Sequence, residues 1–396
     1  MEKVALIAPG FHPVPPVKGA AVETWIDEVA GRMTAYEPWI ISCWDPQRPV
    51  LETVRGVHHR RVRFGALYTR LFKKITRIDP YPLEQRIARL VAGVCPSVVH
   101  LHNRFQFLGA MRKELAGAHV PIVLNVHNKF TAARAVMPEF DVLAGCSRYI
   151  LDFACESFGG FQGERVVLPN GVDTQKFRPR WELPEESRRL RRELGVEDSK
   201  VILFVGRVSP EKGINTLISA FPRVLQRHPD AALVVIGEIR RDSRGDGQRM
   251  EYAKSAMSMA RPYGDRIKFL DVIPPSEIHR YYLLGDLFVA PSLEGEAFGM
   301  VFLEAAASGL PIVSSRRGGI PEAVSDGRNG ILLDHPEDTE QLAGAICSLL
   351  DDPARSRALA EWGRARVERE FDWSRVTREV ENLYGSLLES KNRGDG

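Results

Sequence analysis

Val201-Ile202-Leu203-Phe204-Val205-Gly206-Arg207-Val208-Ser209-Pro210-Glu211-Lys212-Gly213 opens on five apolar residues, turns through glycine and proline, and runs into a segment of helical period. A short apolar run bounded by turn residues reads as a strand buried on both faces. A helix directly after it makes a βα unit of a parallel sheet. The same alternation extends in both directions. Strands are expected at Val4 to Ala8, Trp39 to Cys43, Val98 to Leu101, Ile122 to Val126 and Val142 to Gly145. A second series follows at Val201 to Val205, Leu233 to Gly237, Ile267 to Leu270, Leu287 to Ala290 and Ile312 to Ser314. Two sets of about five strands, each interleaved with helices, imply an α/β chain of two doubly wound, Rossmann-like domains rather than one very wide sheet.

The break between the series falls at Leu168-Pro169-Asn170-Gly171-Val172-Asp173 and the polar, proline-marked stretch that follows. The expected division is an N-terminal domain over 1–172, a linker over 173–185 and a C-terminal domain over 186–373. The last segment is helical by period, broken at Pro353 and at Phe371-Asp372-Trp373. Its final helix, 374–390, carries Val376, Val380 and Tyr384 and is expected to cross back onto the first domain.

Composition narrows the function classes. The chain has 396 residues, 44% apolar and 27% charged, a globular balance that excludes disorder and fibrous repeats. A net charge of +3 gives no case for nucleic acid, and none is expected as a partner. Five scattered cysteines without a C-x-x-C pair read as reduced thiols of a cytoplasmic protein. The start, MEKVALIAPGF, reads as a strand without an export signal, and no apolar stretch approaches membrane-spanning length. One exception to the even charge is 55–90, with ten Lys or Arg against Asp79 and Glu84. Interleaved with Phe64, Leu67, Tyr68, Leu71, Phe72 and Ile75, it reads either as a surface for anionic lipid or as a solvated face.

In open α/β sheets, ligands sit at the carboxyl ends of the strands, so the chemistry is sought in the loops that follow them. Arg207 and Lys212, five residues apart and ahead of a helix, suit a polyanion: a bidentate fork, a point charge and free N–H groups. A solvated surface loop is the plainer reading of these charges. The loop matches neither a dinucleotide fingerprint nor a P-loop. In Ser292-Leu293-Glu294-Gly295-Glu296-Ala297-Phe298-Gly299-Met300-Val301-Phe302-Leu303-Glu304, Glu296 lies on a loop and Glu304 two helical turns further on. The two carboxylates can address different hydroxyls of one elongated ligand while the helix N-terminus between them faces phosphates. No Asp-x-Asp triplet is present to hold a metal-bound diphosphate.

These motifs, with Pro169-Asn170-Gly171-Val172-Asp173 through Phe177, Gly318-Gly319-Ile320-Pro321-Glu322 and Asp326-Gly327-Arg328-Asn329-Gly330, resemble the retaining glycosyltransferases of family 4. Pro13-Val14-Pro15-Pro16-Val17-Lys18-Gly19-Ala20, His102-Asn103-Arg104 and Val126-His127-Asn128 are similar to the spore-coat-protein-SA-like branch. The resemblance implies a GT-B fold of two Rossmann-like domains facing a cleft, with hexosyltransferase-type (EC 2.4) activity on a nucleotide-diphosphate sugar. It assigns the diphosphate to Arg207 and Lys212, with N–H groups of Phe298, Gly299 and Met300 adding to the phosphate site. Glu304 would take the ribose, Glu296 a donor-sugar hydroxyl, His127 the region over the anomeric carbon, and Gly19 a close backbone approach to the diphosphate.

Ala20, Asn128 and Asp271 depart from the family pattern. Asp271 stands near where the base is expected. The reading is a metal-independent, retaining enzyme without a cofactor. It would use a UDP-sugar and act on a cell-surface, spore-surface or lipid-linked glycan. It would be cytoplasmic, with peripheral contact at the inner face of the membrane through 55–90. A sugar-nucleotide epimerase of the same fold and a non-catalytic coat protein are the rival readings. His102, unlike His127, is taken as a structural histidine.

Overall fold

The computed structural model describes residues 1–10, 12–16, 20–63, 82–117, 119–130, 140–238 and 247–394. The chain forms two compact units, Met1–Asn170 with Trp373–Gly396, and Gly171–Asp372.

The first unit holds β1 (Glu2–Ile7), β2 (Tyr36–Cys43), β3 (Leu51–Val54), β4 (Val57–Val62), β5 (Val98–His102), β6 (Ile122–Val126), β7 (Val142–Gly145) and β8 (Glu164–Val167). They form one sheet in the order β3-β4-β2-β1-β5-β6-β7-β8, parallel except for β3 against β4. Val4 to Ile7 and Ile122 to Leu124 are fully buried, as expected for strands covered on both faces. The helix Ala21–Ala30 lays Trp25, Ile26 and Val29 into the core. The helix Trp373–Gly394 belongs to this unit, burying Val376, Val380 and Tyr384 against the helix Ala21–Ala30 and its surroundings. The carboxylate of Glu381 accepts from the N–H groups of Thr34 and Ala35, both at 2.7 Å, and fixes where that helix lands.

The second unit holds β9 (Lys200–Val205), β10 (Ala231–Ile236), β11 (Ile267–Leu270), β12 (Leu287–Ala290), β13 (Ile312–Ser315) and β14 (Gly330–Leu333). All pair in parallel in the order β11-β10-β9-β12-β13-β14. Strand order reverses between β9 and β12, the switch point where such sheets leave room for a ligand. The loops leaving those two strands are the ones that carry Arg207, Lys212 and Glu296.

All ten expected strands are present, within two residues at each end except β2, which begins three residues earlier, at Tyr36. Four others, β3, β4, β8 and β14, were not anticipated. β3 and β4 form a hairpin through Arg55-Gly56, and the short LETV and polar VHHRRV segments carry little strand signal. β8 and β14 are four-residue edge strands. Residues 173–185 lie in the second unit. Arg364, buried, donates to the carbonyls of Thr174 (2.9 Å) and Phe177 (2.6 Å) and binds this segment to the helix Pro353–Glu370. Pro353 sits at the start of that helix, where its missing N–H costs nothing. Where the chain enters and leaves this unit, Val172 N–H donates to Phe371 O at 2.8 Å and Thr174 Oγ1 donates to Asp372 Oδ2 at 2.7 Å.

Candidate functional site

In the second unit, β9 ends at Val205 and the chain passes through a short 3-10 turn, Pro210–Lys212, into the helix Ile214–Arg227. Gly213 makes that entry possible. Its φ is +70°, and a Cβ there would lie 2.2 Å from the carbonyl oxygen of Pro291. The backbone after β9 is thus held against the backbone after β12. Leu293 N–H donates to Glu211 O at 2.9 Å and Arg317 Nη1 donates to Leu293 O at 2.8 Å, tying a third loop, the one after β13, to the other two.

The Lys212 ammonium and the Glu296 carboxylate form an ion pair in which both side chains are more than four-fifths buried. Ser292 Oγ donates to the same Glu296 oxygen at 3.3 Å. The backbone of Glu296 is clamped as well, its carbonyl accepting from Gly319 N–H at 2.8 Å. Gly318, at φ +60°, leaves room that a Cβ would fill at 2.4 Å from that carbonyl. Arg207 is half-exposed, 3.3 Å from Glu211. Both cations therefore stand on a rigid junction of three loops, with matching carboxylates and the arginine open to solvent. This is an arrangement that can exchange an internal partner for an anionic ligand.

The helix Met300–Ala307 begins beside this junction, with Gly299 in the left-handed region at its N-cap. No described group accepts a hydrogen bond from the N–H groups of Phe298, Gly299 or Met300. Phe298 itself is buried against Phe371. Glu304 is half-buried on this helix, and its Oε2 accepts from the Tyr282 hydroxyl at 2.6 Å. Burial raises its carboxyl above the ordinary carboxylate range, and the Tyr282 hydrogen bond opposes that shift. The second unit thus gathers Arg207, Lys212, Glu296 and the Phe298–Met300 turn at one end of its sheet, with Glu304 further along the helix that starts there. Sequence reading missed the supporting residues Glu211, Tyr282, Ser292 and Arg317. Their contacts cross between loops, and no local spacing announces them.

In the first unit, His127 follows β6 and is 5% exposed. Its N–H donates to Asn103 Oδ1 at 2.7 Å, and its Nε2 lies 3.0 Å from His102 Nδ1. Burial holds the His127 imidazole down at about 3, so the ring is neutral at physiological pH. His102, expected to be a structural histidine, lies against this ring. It is fully buried and bonded to His127. Gly19 lies outside the described residues, as do 64–81 of the basic stretch 55–90. Arg61, from the described part, is 2% exposed and paired with Glu52 at 2.7 Å, so it does not belong to a solvated face. Among the described residues no group of three His, Cys, Asp or Glu side chains is placed to hold a metal ion, and no helix is long and apolar enough to cross a membrane.

Comparison with known proteins bears on both units. The family model described as Glycosyltransferase Family 4 matches residues 22–176, and the one described as Glycosyl transferases group 1 matches residues 186–366. The chain is 29% identical over 393 residues to Spore coat protein SA of Bacillus subtilis strain 168, covering 96% of this chain and 99% of that one. It is 30% identical over 390 residues to the lipopolysaccharide 1,2-N-acetylglucosaminetransferase of Salmonella typhimurium, covering 96% and 97%. The crystal structure of Anabaena Alr3699/HepE in complex with UDP superposes with a TM-score of 0.76 at 20% identity, over 98% of this chain and all of that one. Two parallel-sheet units, a model matched to each of them and a relative aligned end to end place the chain in the family 4 glycosyltransferases, with their GT-B fold.

Proposed function

We propose that this glycosyltransferase is a retaining, metal-independent enzyme that takes a sugar from a nucleoside-diphosphate donor, a UDP-sugar in the first instance, and delivers it to a surface or lipid-linked glycan. The observation that carries the reading is the junction in the second unit. There Arg207 and the Lys212–Glu296 pair stand beside an uncapped helix N-terminus at the sheet's switch point. Breaking a glycosyl–phosphate bond develops negative charge on the departing diphosphate and positive charge on the sugar ring. Arg207, Lys212 and the N–H groups of Phe298, Gly299 and Met300 meet the first. Glu296 accepts from a sugar hydroxyl once Lys212 turns to phosphate, and Glu304 accepts from the ribose.

His127 supplies a neutral contact to the donor sugar. No described carboxylate is assigned as a covalent nucleophile. The acceptor's proton is taken by the leaving phosphate oxygen on the same face, which retains configuration. The UDP preference is supported by the UDP-bound relative of the same fold. The glycan acceptor is supported by the name of the Salmonella relative. Five free cysteines suit a cytoplasmic enzyme.

The test is thermal unfolding of metal-free protein with UDP, GDP, ADP or NAD at equal concentration. A ligand present at 100 times its Kd stabilises by about 2.7 kcal/mol. The expected result is a shift with UDP that disappears in Lys212→Ala. A shift with GDP instead moves the donor to that base, and no shift with any of them favours a non-catalytic coat role.

A further inference from the structure

Beneath Trp25, three imidazoles lie in a row across β5 and the end of β6. His100 Nδ1 is 2.6 Å from the Tyr384 hydroxyl. The His100 and His102 rings stack with centroids 4.4 Å apart, and His102 Nδ1 meets His127 Nε2 at 3.0 Å. Trp25 packs on all three, 5.1–5.8 Å from centroid to centroid, and is itself fixed by its Nε1 donating to Pro169 O at 3.0 Å. His100 and His102 are completely buried.

A neutral imidazole carries one N–H and one lone pair, so the contact between His102 and His127 holds a single proton. Two arrangements satisfy it. If His102 donates from Nδ1, its own Nε2 is a lone pair and His127 carries its proton on Nδ1. If His127 donates from Nε2, then His102 must carry an N–H at Nε2, and the Nδ1 of His127 is left bare. The deciding atom is His102 Nε2, which is buried and meets no partner among the described residues. A buried N–H without an acceptor is the rarer and more costly orphan; a buried lone pair is better tolerated. The first arrangement is favoured.

We propose that His102 is a positioning residue that holds His127 as its Nδ1–H tautomer, so that the ring offers the reaction a hydrogen-bond donor and not a base. The Nε2 lone pair of His127 is occupied by His102, and Asn103 anchors its backbone N–H. Nδ1, without a partner among the described residues, is the nitrogen left to meet a ligand. Such a ring can donate to a sugar hydroxyl or to the departing phosphate oxygen, and it cannot accept the acceptor's proton. The inference rests on the proposed contact between His127 and the donor sugar, and it explains why the proton must leave with the phosphate.

The experiment is long-range 1H–15N spectroscopy of full-length protein labelled with 15N-histidine, between pH 6 and 8, with His127→Gln and His102→Phe used to assign signals. The expected result is that His102 and His127 both show the Nδ1–H pattern and hold it across the range. In His102→Phe, which keeps ring volume but offers no nitrogen, His127 no longer shows a single tautomer. In His102→Asn, whose amide N–H stands near the place of Nδ1, the Nδ1–H pattern returns. Release of UDP from UDP-glucose follows the same order, falling about tenfold or more in His102→Phe and recovering in His102→Asn. An Nε2–H pattern at His127 in the unmodified protein overturns the proposal, as does equal loss of the pattern in both His102 variants. Unchanged UDP release in His127→Gln overturns the sugar contact instead, while leaving the tautomer result standing.

Discussion

The hydroxyl of Tyr282 donates to the carboxylate of Glu304 across 2.6 Å, joining a fully buried phenol to the acid proposed to hold the ribose. Burial pushes Glu304 towards its protonated form, and this hydrogen bond is the first influence that resists it. Tyr282→Phe removes the donor without emptying the space. The Glu304 carboxyl then titrates at higher pH than before, so the acid-side loss of nucleotide binding begins earlier as pH falls. UDP affinity at neutral pH is expected to drop about tenfold, the scale of one hydrogen bond to a charged group. Isothermal titration from pH 5 to 8 checks both; an unchanged profile would remove Glu304 from the ribose.

The Lys212–Glu296 pair leads to a second expectation. Lys212→Ala and Glu296→Gln should each lower turnover by about 100-fold or more, since each removes a contact to developing charge. Each also strands its partner in a largely buried place. The double variant should therefore lose less than the product of the two single effects. Steady-state rates of the four proteins complete the cycle. Strict additivity would mean that the pair is not shared in the reaction.

Much of this site was legible in the sequence, and the reason is physical. Arg207, Lys212, Glu296 and Glu304 lie on segments immediately following strands, and strands buried on both faces announce themselves as short apolar runs. What could not be read is the contact made by distant side chains. Tyr282 reaches Glu304 from 22 residues away and Tyr384 reaches His100 from 284 away, with no periodicity linking either pair. A histidine that ends a strand can satisfy itself on backbone, so the sequence marks His102 as structural. Its bond to His127 depends on β5 and β6 being neighbours in register, His102 beside Asn125. The basic hairpin β3–β4 escaped because its sequence is polar. Arg61 is neutralised by Glu52 within the fold, which a charge count cannot register.

Acid should unfold this chain sooner than its net charge suggests. Burial holds His100 and His127 at about 3, and it lowers His102 well below the ordinary imidazole value too. Each takes up a proton near pH 6.5 in the unfolded chain but stays neutral in the folded one. The unfolded state therefore binds more protons as pH falls below that point, and stability declines from about pH 6.5 towards 3. His100 and His127 each remove on the order of 2 kcal/mol by pH 5. Urea midpoints at pH 7, 6 and 5 at constant ionic strength measure the decline, and a flat profile over that range would contradict it.

Gly213→Ala tests the loop junction. The residue is at φ +70° and faces the Pro291 carbonyl, so the methyl group forces the loops after β9 and β12 apart. A loss of about 2 kcal/mol or more in folding stability is expected. UDP affinity should weaken beyond what partial unfolding explains, because Lys212 rides on that turn. Calorimetric unfolding with and without UDP separates the two effects.

The first unit is made from both ends of the chain, Met1–Asn170 and the helix beginning at Trp373, whereas the second is contiguous. On the ribosome, the N-terminal sheet emerges long before Tyr384 exists. Until the last helix arrives, His100 lacks its hydroxyl partner and the apolar flank of the helix Ala21–Ala30 lacks the side chains of Val376 and Val380. The second unit completes first, and the nascent chain carries an unsealed seam that chaperones can recognise. A nonsense codon in the final helix ahead of Tyr384 leaves that seam open for good, so loss of the C-terminal end strikes at the oldest part of the newly made protein.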